Sequence, residues 1–143
     1  MVQISPELTE QLKAFGLECY NHWQANATPE QLAAGEARGE SYKNDPNYAA
    51  NHMERVRNEF AECDSNGDGR LNEQEFMAFF AKQREQRARE GADVEPAPDQ
   101  ATKAYALFNQ IGEGDGFSLD EYLAAYAPMA MAMAEAKAQA AAQ

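Results

Sequence analysis

An acidic, glycine-containing segment from Asp64 to Glu75 is the feature that most constrains the fold of this chain. Apolar residues recur at helical spacing on both sides of it, with Val56 and Phe60 before the segment and Phe76 after it. Such a stripe is typical of an amphipathic helix that buries one face. The sequence therefore predicts two helices joined by a short loop that concentrates carboxylates.

Side-chain oxygens occupy alternate positions of this segment, which suits a hard cation such as Ca²⁺ that takes about six to eight oxygen ligands. Gly69 lies at the sixth position, where a sharp turn of the chain disfavours a side chain. At the seventh position, Arg70 would bind through its backbone carbonyl, so its positive charge is no obstacle. Glu75, at the twelfth position, can bind through both carboxylate oxygens, which favours calcium over the smaller magnesium. The predicted ligands are Asp64, Asn66, Asp68, Arg70, Asn72 (through a water molecule) and Glu75.

This pattern resembles the calcium-binding loop of the EF-hand family at each of its diagnostic positions. The resemblance covers about residues 50–126 and implies an all-α fold in which two helix–loop–helix hands are paired. Leu71, at the eighth position, would form the short β contact between paired loops. By the same resemblance, we expect a calcium sensor in signalling, which exposes apolar surface to an unidentified protein or peptide target when it binds metal.

A second hand is expected downstream, because EF-hands usually occur in pairs, and residues 105–123 resemble one with an irregular loop. If Phe117 takes the eighth position and Glu121 the twelfth, glycines occupy early ligand positions. If the loop begins at Asn109, Glu121 arrives one residue late. Three interpretations stay open: a structural partner that binds no calcium, a weak site, or a segment unrelated to the family. The weak site would use Asn109, Glu113, Asp115 and Glu121.

Helical periodicity predicts an additional amphipathic helix at the N-terminus, over residues 5–25. We expect its apolar face to pack on the hands; binding to a partner is the alternative. A short helix follows over residues 29–37, and the glycines and the Asn-Asp-Pro cluster within residues 35–46 indicate a loop.

Further along the chain, a helix is predicted over residues 46–63, and the helix after the acidic loop is expected to end in a solvated extension over residues 82–90. Pro128 is expected to break the last helix, since proline removes a helical hydrogen bond. A helical tail rich in Ala and Met follows. The predicted organisation is an N-terminal helix and loop (1–45), an EF-hand pair (46–128, with a regular hand at 46–90 and an irregular one at 99–128) and a tail (129–143).

Composition narrows the classes of partner. The formal net charge of −12 disfavours binding to nucleic acid. No stretch approaches the ~20 apolar residues of a membrane span. The N-terminus lacks the basic and apolar regions of a signal peptide, and two cysteines, Cys19 and Cys63, do not make a disulfide framework. These features predict a cytoplasmic protein.

The sequence gives little support for catalysis, because neither His22 nor His52 has an evident nucleophile or metal-ligand partner. We therefore do not expect an enzyme. Two alternatives to a sensor stay open. One is a cytosolic calcium buffer whose shape changes little on binding, and the other is a structural adaptor subunit that holds its calcium permanently.

Overall fold

The computed structural model describes residues 2–112 and 114–141, and it is mostly helical. Within these residues, the elements in chain order are α1 (Pro6–Asn26), α2 (Pro29–Asn44), α3 (Pro46–Cys63), β1 (Arg70–Leu71), α4 (Glu73–Arg89), α5 (Gln100–Asn109), β2 (Phe117–Ser118) and α6 (Leu119–Ala141). The two strands have two residues each. The predicted all-α fold class is confirmed. None of the helices in the described residues combines the length and the apolar character needed to cross a membrane.

The chain divides into two compact units. The continuous unit is Gln24–Glu95 and contains α2, α3, β1 and α4. The discontinuous unit joins Met1–Trp23 to Pro96–Gln143 and contains most of α1 together with α5, β2 and α6. Each unit therefore consists of one helix–loop–helix hairpin and one further helix.

The core of the continuous unit lies between α3 and α4. Phe60 of α3 and Phe79 of α4 meet edge to face, with ring centroids 5.7 Å apart. Beyond this contact, the Gln83 side-chain amide donates a hydrogen bond of 2.9 Å to the Glu59 carboxylate. The two helices thus lie side by side and antiparallel. The other buried apolar side chains of this region are Val56, Cys63, Leu71 and Phe76.

The core of the discontinuous unit combines the apolar face of α1 with aromatic rings from α5, β2 and α6. Phe108 meets Phe117 and Tyr122 edge to face, at centroid distances of 5.4 and 5.6 Å. Gly16 of α1 lies against the backbone of Met129 in α6. The α1 residues that are buried are Leu8, Leu12, Phe15 and Gly16. The first three belong to the apolar stripe that periodicity predicts, whereas its other members, Ile4, Cys19 and Trp23, are half-buried.

The loop predicted over residues 35–46 is wrong, because α2 continues through both glycines of that stretch to Asn44. A reciprocal cap fixes its start. The backbone amide of Gln31 donates to Thr28 Oγ1 (3.1 Å), and the backbone amide of Thr28 donates to Gln31 Oε1 (2.8 Å). Each glycine costs a helix roughly 1 kcal/mol relative to alanine. The cap and the packing of α2 in its unit outweigh that cost.

The break predicted at Pro128 is also wrong, because α6 is continuous from Leu119 to Ala141. Proline weakens a helix by removing one hydrogen bond and by crowding the preceding turn. Pro128 is itself buried, as is its neighbour Met129. Packing of this part of α6 therefore offsets the local cost of the proline.

The extension predicted to be solvated, residues 82–90, contains no buried residue, and ion pairs attach it to the rest of its unit. Arg84 donates to the Asp93 carboxylate at 2.9 Å, and Arg87 lies 3.6 Å from the same carboxylate. At the end of α4, Arg38 of α2 lies 2.9 Å from Glu90. This part of α4 lacks large apolar residues and contacts its unit through charges, which a hydrophobicity pattern does not register.

Candidate metal centre

The loop between α3 and α4 turns back on itself at two glycines. Gly67 has φ +69° and Gly69 has φ +80°. Residues with a Cβ avoid this left-handed region because the side chain approaches the carbonyl oxygen. Apart from the adjoining residues of the chain, no atom lies within 4 Å of a Cβ built at either glycine. Glycine is therefore favoured here by the backbone conformation and not by lack of space.

The turn directs oxygens of three side chains toward amides of the loop itself. Asp64 accepts hydrogen bonds from the Asp68 amide (3.2 Å) and the Gly69 amide (2.8 Å). Asn66 Oδ1 also accepts from the Asp68 amide at 3.2 Å. Asp68 Oδ1 accepts from the Arg70 amide at 2.9 Å. The alternating positions expected of ligands thus have their side-chain oxygens close to the loop backbone.

Glu75 closes the loop from the first turn of α4, and the residue is only 8 % exposed. One carboxylate oxygen accepts from the Ser65 amide and hydroxyl, both at 2.9 Å, and the other accepts from the Asn72 amide at 3.0 Å. The Asn72 amide hydrogen bond, aided by the Ser65 bonds, lowers the pKa of Glu75 and outweighs the opposing effect of burial. Glu75 is therefore ionised at neutral pH.

Oxygens of Asp64, Asp68 and Glu75 all lie within 4.8 Å of one another. Two Ca²⁺–oxygen bonds of about 2.4 Å span at most about 4.8 Å, so each pair of these carboxylates is close enough to share a calcium ion. The three negative charges and the hard oxygen donors match the chemistry of that ion. Among residues 2–112 and 114–141, no second group of three His, Cys, Asp or Glu side chains is as close.

The other predicted ligands border this cluster in different ways. Asn72 Oδ1 accepts from the Glu75 amide at 2.9 Å and so caps the start of α4. Its action through a water molecule, the side-chain role of Asn66 and the carbonyl role of Arg70 stay predictions. Sequence analysis missed Ser65, whose amide and hydroxyl orient Glu75. Its only sequence signal is a small hydroxyl residue next to the first acidic position.

The irregular loop repeats one part of this arrangement. The Ser118 amide donates to Glu121 Oε1 (2.8 Å), and the Glu121 amide donates to Ser118 Oγ (3.2 Å). This reciprocal pair at the start of α6 is equivalent to that of Asn72 and Glu75, and it favours the register in which Glu121 takes the twelfth position.

The other residues proposed for a weak site are distributed differently. Asn109 Oδ1 accepts from the Gly116 amide at 2.7 Å. Asp115 is exposed, and Glu113 lies outside the described residues. Whether this loop binds calcium stays a prediction.

No family model, curated protein or solved structure matches this chain. The class of protein must therefore be read from its fold and its site. Both describe an all-α protein in which a helix–loop–helix hairpin carries three converging carboxylates at its loop.

Proposed function

We propose that this protein binds one calcium ion in the loop from Asp64 to Glu75 and acts as a calcium sensor. The observation that carries the proposal is the approach of Asp64, Asp68 and Glu75 oxygens to within 4.8 Å of one another. Three carboxylates this close repel one another, and a divalent cation relieves that repulsion. The chain's net charge of −12 adds a general attraction for cations.

The sensor role follows from the place of Glu75 in the first turn of α4. A metal ion that engages both of its oxygens competes with the hydrogen bonds from Ser65 and Asn72. Because α4 begins at this point, a shift of Glu75 toward the ion moves the start of the helix. In EF-hand sensors, such a movement opens the hairpin and exposes apolar surface. The proposed partner is accordingly a protein or peptide with an apolar helical face, and the proposed place of action is the cytoplasm.

A calcium buffer is the second candidate function, favoured by the close antiparallel contact of α3 and α4. Phe60 packs on Phe79, and Gln83 bonds to Glu59. If these contacts persist with metal bound, no apolar surface is released. A fluorescent apolar dye distinguishes the two functions, because a sensor gains dye binding with calcium and a buffer does not. In a structural adaptor, the third candidate, the calcium would be held too tightly for signalling.

Calorimetric titration of the chelator-treated protein with calcium tests the proposal. We expect one site with a dissociation constant of about 10⁻⁷–10⁻⁵ M and a change in circular dichroism between the two end states. In Glu75→Gln, a bidentate charged ligand becomes a single neutral oxygen, so we expect at least about tenfold weaker binding. Glu73→Gln is the matched control, because Glu73 is exposed in the same helical turn.

Absence of binding heat in the unmodified protein would contradict calcium binding. Equal affinity in Glu75→Gln and Glu73→Gln would contradict the assignment of the site. A second binding event that survives in Glu75→Gln would show that the irregular loop also takes calcium.

A further inference from the structure

At the end of the α3–α4 hairpin farthest from the loop, one carboxylate joins three helices. Glu90, directly after α4, accepts a short hydrogen bond from the hydroxyl of Tyr48 in α3. Its second oxygen accepts from Arg38 Nε of α2 at 2.9 Å. We name Arg38, Tyr48 and Glu90 the polar latch. The side chains of Arg38 and Glu90 are 26 % and 21 % exposed, so water screens this ion pair less than a fully exposed one.

The polar latch is one of the polar contacts that attach α2 to its unit. None of the α2 residues is buried, so polar contacts contribute to its attachment. Besides the Arg38–Glu90 pair, the Gln31 side-chain amide donates to the Asp93 carbonyl at 2.8 Å. Both contacts reach the chain at or just after the end of α4. Movement of that end therefore disturbs both of these polar contacts of α2.

The latch and an open hairpin exclude each other on geometric grounds. From Tyr48 to Cys63, α3 extends about 22 Å at 1.5 Å per residue. Opening of an EF-hand sensor changes the interhelical angle by about 40°, which would separate the far ends of two such helices by roughly 15 Å. A hydrogen bond is lost beyond about 3.5 Å. The bond between Tyr48 and Glu90 thus belongs to the arrangement in which α3 and α4 lie side by side.

We propose that the polar latch opposes calcium-driven opening of the hairpin and so sets the calcium affinity and the response of the loop from Asp64 to Glu75. The proposal rests on the proposed function, since it concerns the regulation of that site. Its basis is linkage. A contact that exists only in the side-by-side state lowers the affinity of the protein for any ligand that favours the open state. The loss of binding free energy is as large as the stabilisation that the contact gives to the side-by-side state. Events that release Glu90, such as binding of a partner to α2, would sensitise the protein to calcium.

Tyr48→Phe tests the latch, because it removes one hydroxyl and keeps the ring. We expect calcium to bind this variant about three- to tenfold more tightly than the unmodified protein, as expected for loss of a partly exposed hydrogen bond to a charged group. Tyr42→Phe is the matched control. Tyr42 is 47 % exposed on α2 and touches the His52 ring through its own ring, so we expect unchanged affinity.

A spin-label distance provides a second measurement that does not depend on affinity. The labels are placed at Asn47→Cys and Glu85→Cys, both exposed positions, in a Cys19→Ser, Cys63→Ala background. We expect the same short distance in all chelator-treated proteins. With calcium, we expect a longer distance that is more populated in Tyr48→Phe than in Tyr42→Phe.

The possible failures can be told apart. Equal calcium affinity in Tyr48→Phe and the unmodified protein overturns the latch and leaves calcium binding intact. A label distance that calcium does not lengthen in Tyr48→Phe also overturns it and assigns the protein to the buffers. Absence of calcium binding by the unmodified protein overturns the proposed function, and with it the regulatory role of the latch.

Discussion

Glu75 has two roles that compete for the same carboxylate. In the structure, its oxygens accept from Ser65 and Asn72, which fixes the start of α4 and lowers the Glu75 pKa. As a bidentate ligand, it would give part of that capping to the metal. Competition of this kind makes one residue a coupling point between ion binding and the orientation of a helix.

Protonation of His52 destabilises the folded state. Its Nδ1 lies 2.7 Å from Arg55 Nη2, so the neutral ring accepts a hydrogen bond from a guanidinium. Burial, followed by the positive charges of Arg55 and Arg38, lowers the pKa of His52. The unfolded chain therefore binds the proton more readily than the folded one. The His52 contribution to stability is present above the unfolded pKa of about 6.5 and is lost as pH falls below it.

We predict that the free energy of unfolding falls between about pH 7.5 and pH 5.5, by at most about 1.4 kcal/mol per pH unit from this one group. Urea denaturation at several pH values measures the slope, and His52→Gln should flatten it. The carboxylates with lowered pKa, Glu75 and Glu90, lose their contributions only at lower pH. A slope unchanged in His52→Gln would show that His52 is not the group responsible.

At the scale of elements, the sequence predicts where helices exist better than where they end. The apolar stripe of α1 and the bounds of α3 are read correctly, because periodic burial is visible in one dimension. The glycines of α2 and Pro128 of α6 mislead, since packing offsets their local cost.

For the candidate site, fixed spacing identifies Asp64, Asp68 and Glu75. Ser65 and the polar latch depend on contacts between residues whose distance in the sequence carries no pattern.

At Gly16, helix propensity favours replacement by alanine, whereas packing disfavours it. A Cβ at this position would lie 2.8 Å from both the Cα and the carbonyl oxygen of Met129. These are backbone atoms of a helix and do not move aside easily. We predict that Gly16→Ala lowers the free energy of unfolding by about 1–3 kcal/mol, as overpacking does. This loss exceeds the roughly 0.5–1 kcal/mol that alanine gains over glycine inside a helix.

Gly39→Ala is the matched control, because Gly39 lies exposed within α2. There the same substitution should stabilise the protein by about 0.5–1 kcal/mol. Urea denaturation midpoints measure both variants. If Gly16→Ala is stabilising as well, α1 and α6 do not approach as closely as the structure shows.

At the scale of the whole molecule, the candidate metal centre belongs to one compact unit, whereas the net charge belongs to the entire chain. The continuous unit, Gln24–Glu95, contains the loop and the polar latch. A chain with 24 acidic and 12 basic residues gains stability from any cation that screens repulsion. Specific binding must therefore be separated from general screening.

Specific calcium binding differs from general screening in how much it stabilises the protein and in which residues it stabilises. At about 1 mM free calcium, a site with a dissociation constant of about 1 µM stabilises the folded state by about 4 kcal/mol. For a chain of this length, that corresponds to a rise in melting temperature of roughly 13 °C. Scanning calorimetry measures the rise, and hydrogen exchange should place the largest gain in protection within Gln24–Glu95. Magnesium at equal ionic strength should produce only the smaller screening effect, because this ion is too small for a bidentate carboxylate. Calcium should likewise produce only screening in Glu75→Gln, because the variant lacks that carboxylate. Equal shifts in melting temperature in all three experiments would mean that the chain responds to cations through its total charge and that the loop does not bind calcium specifically.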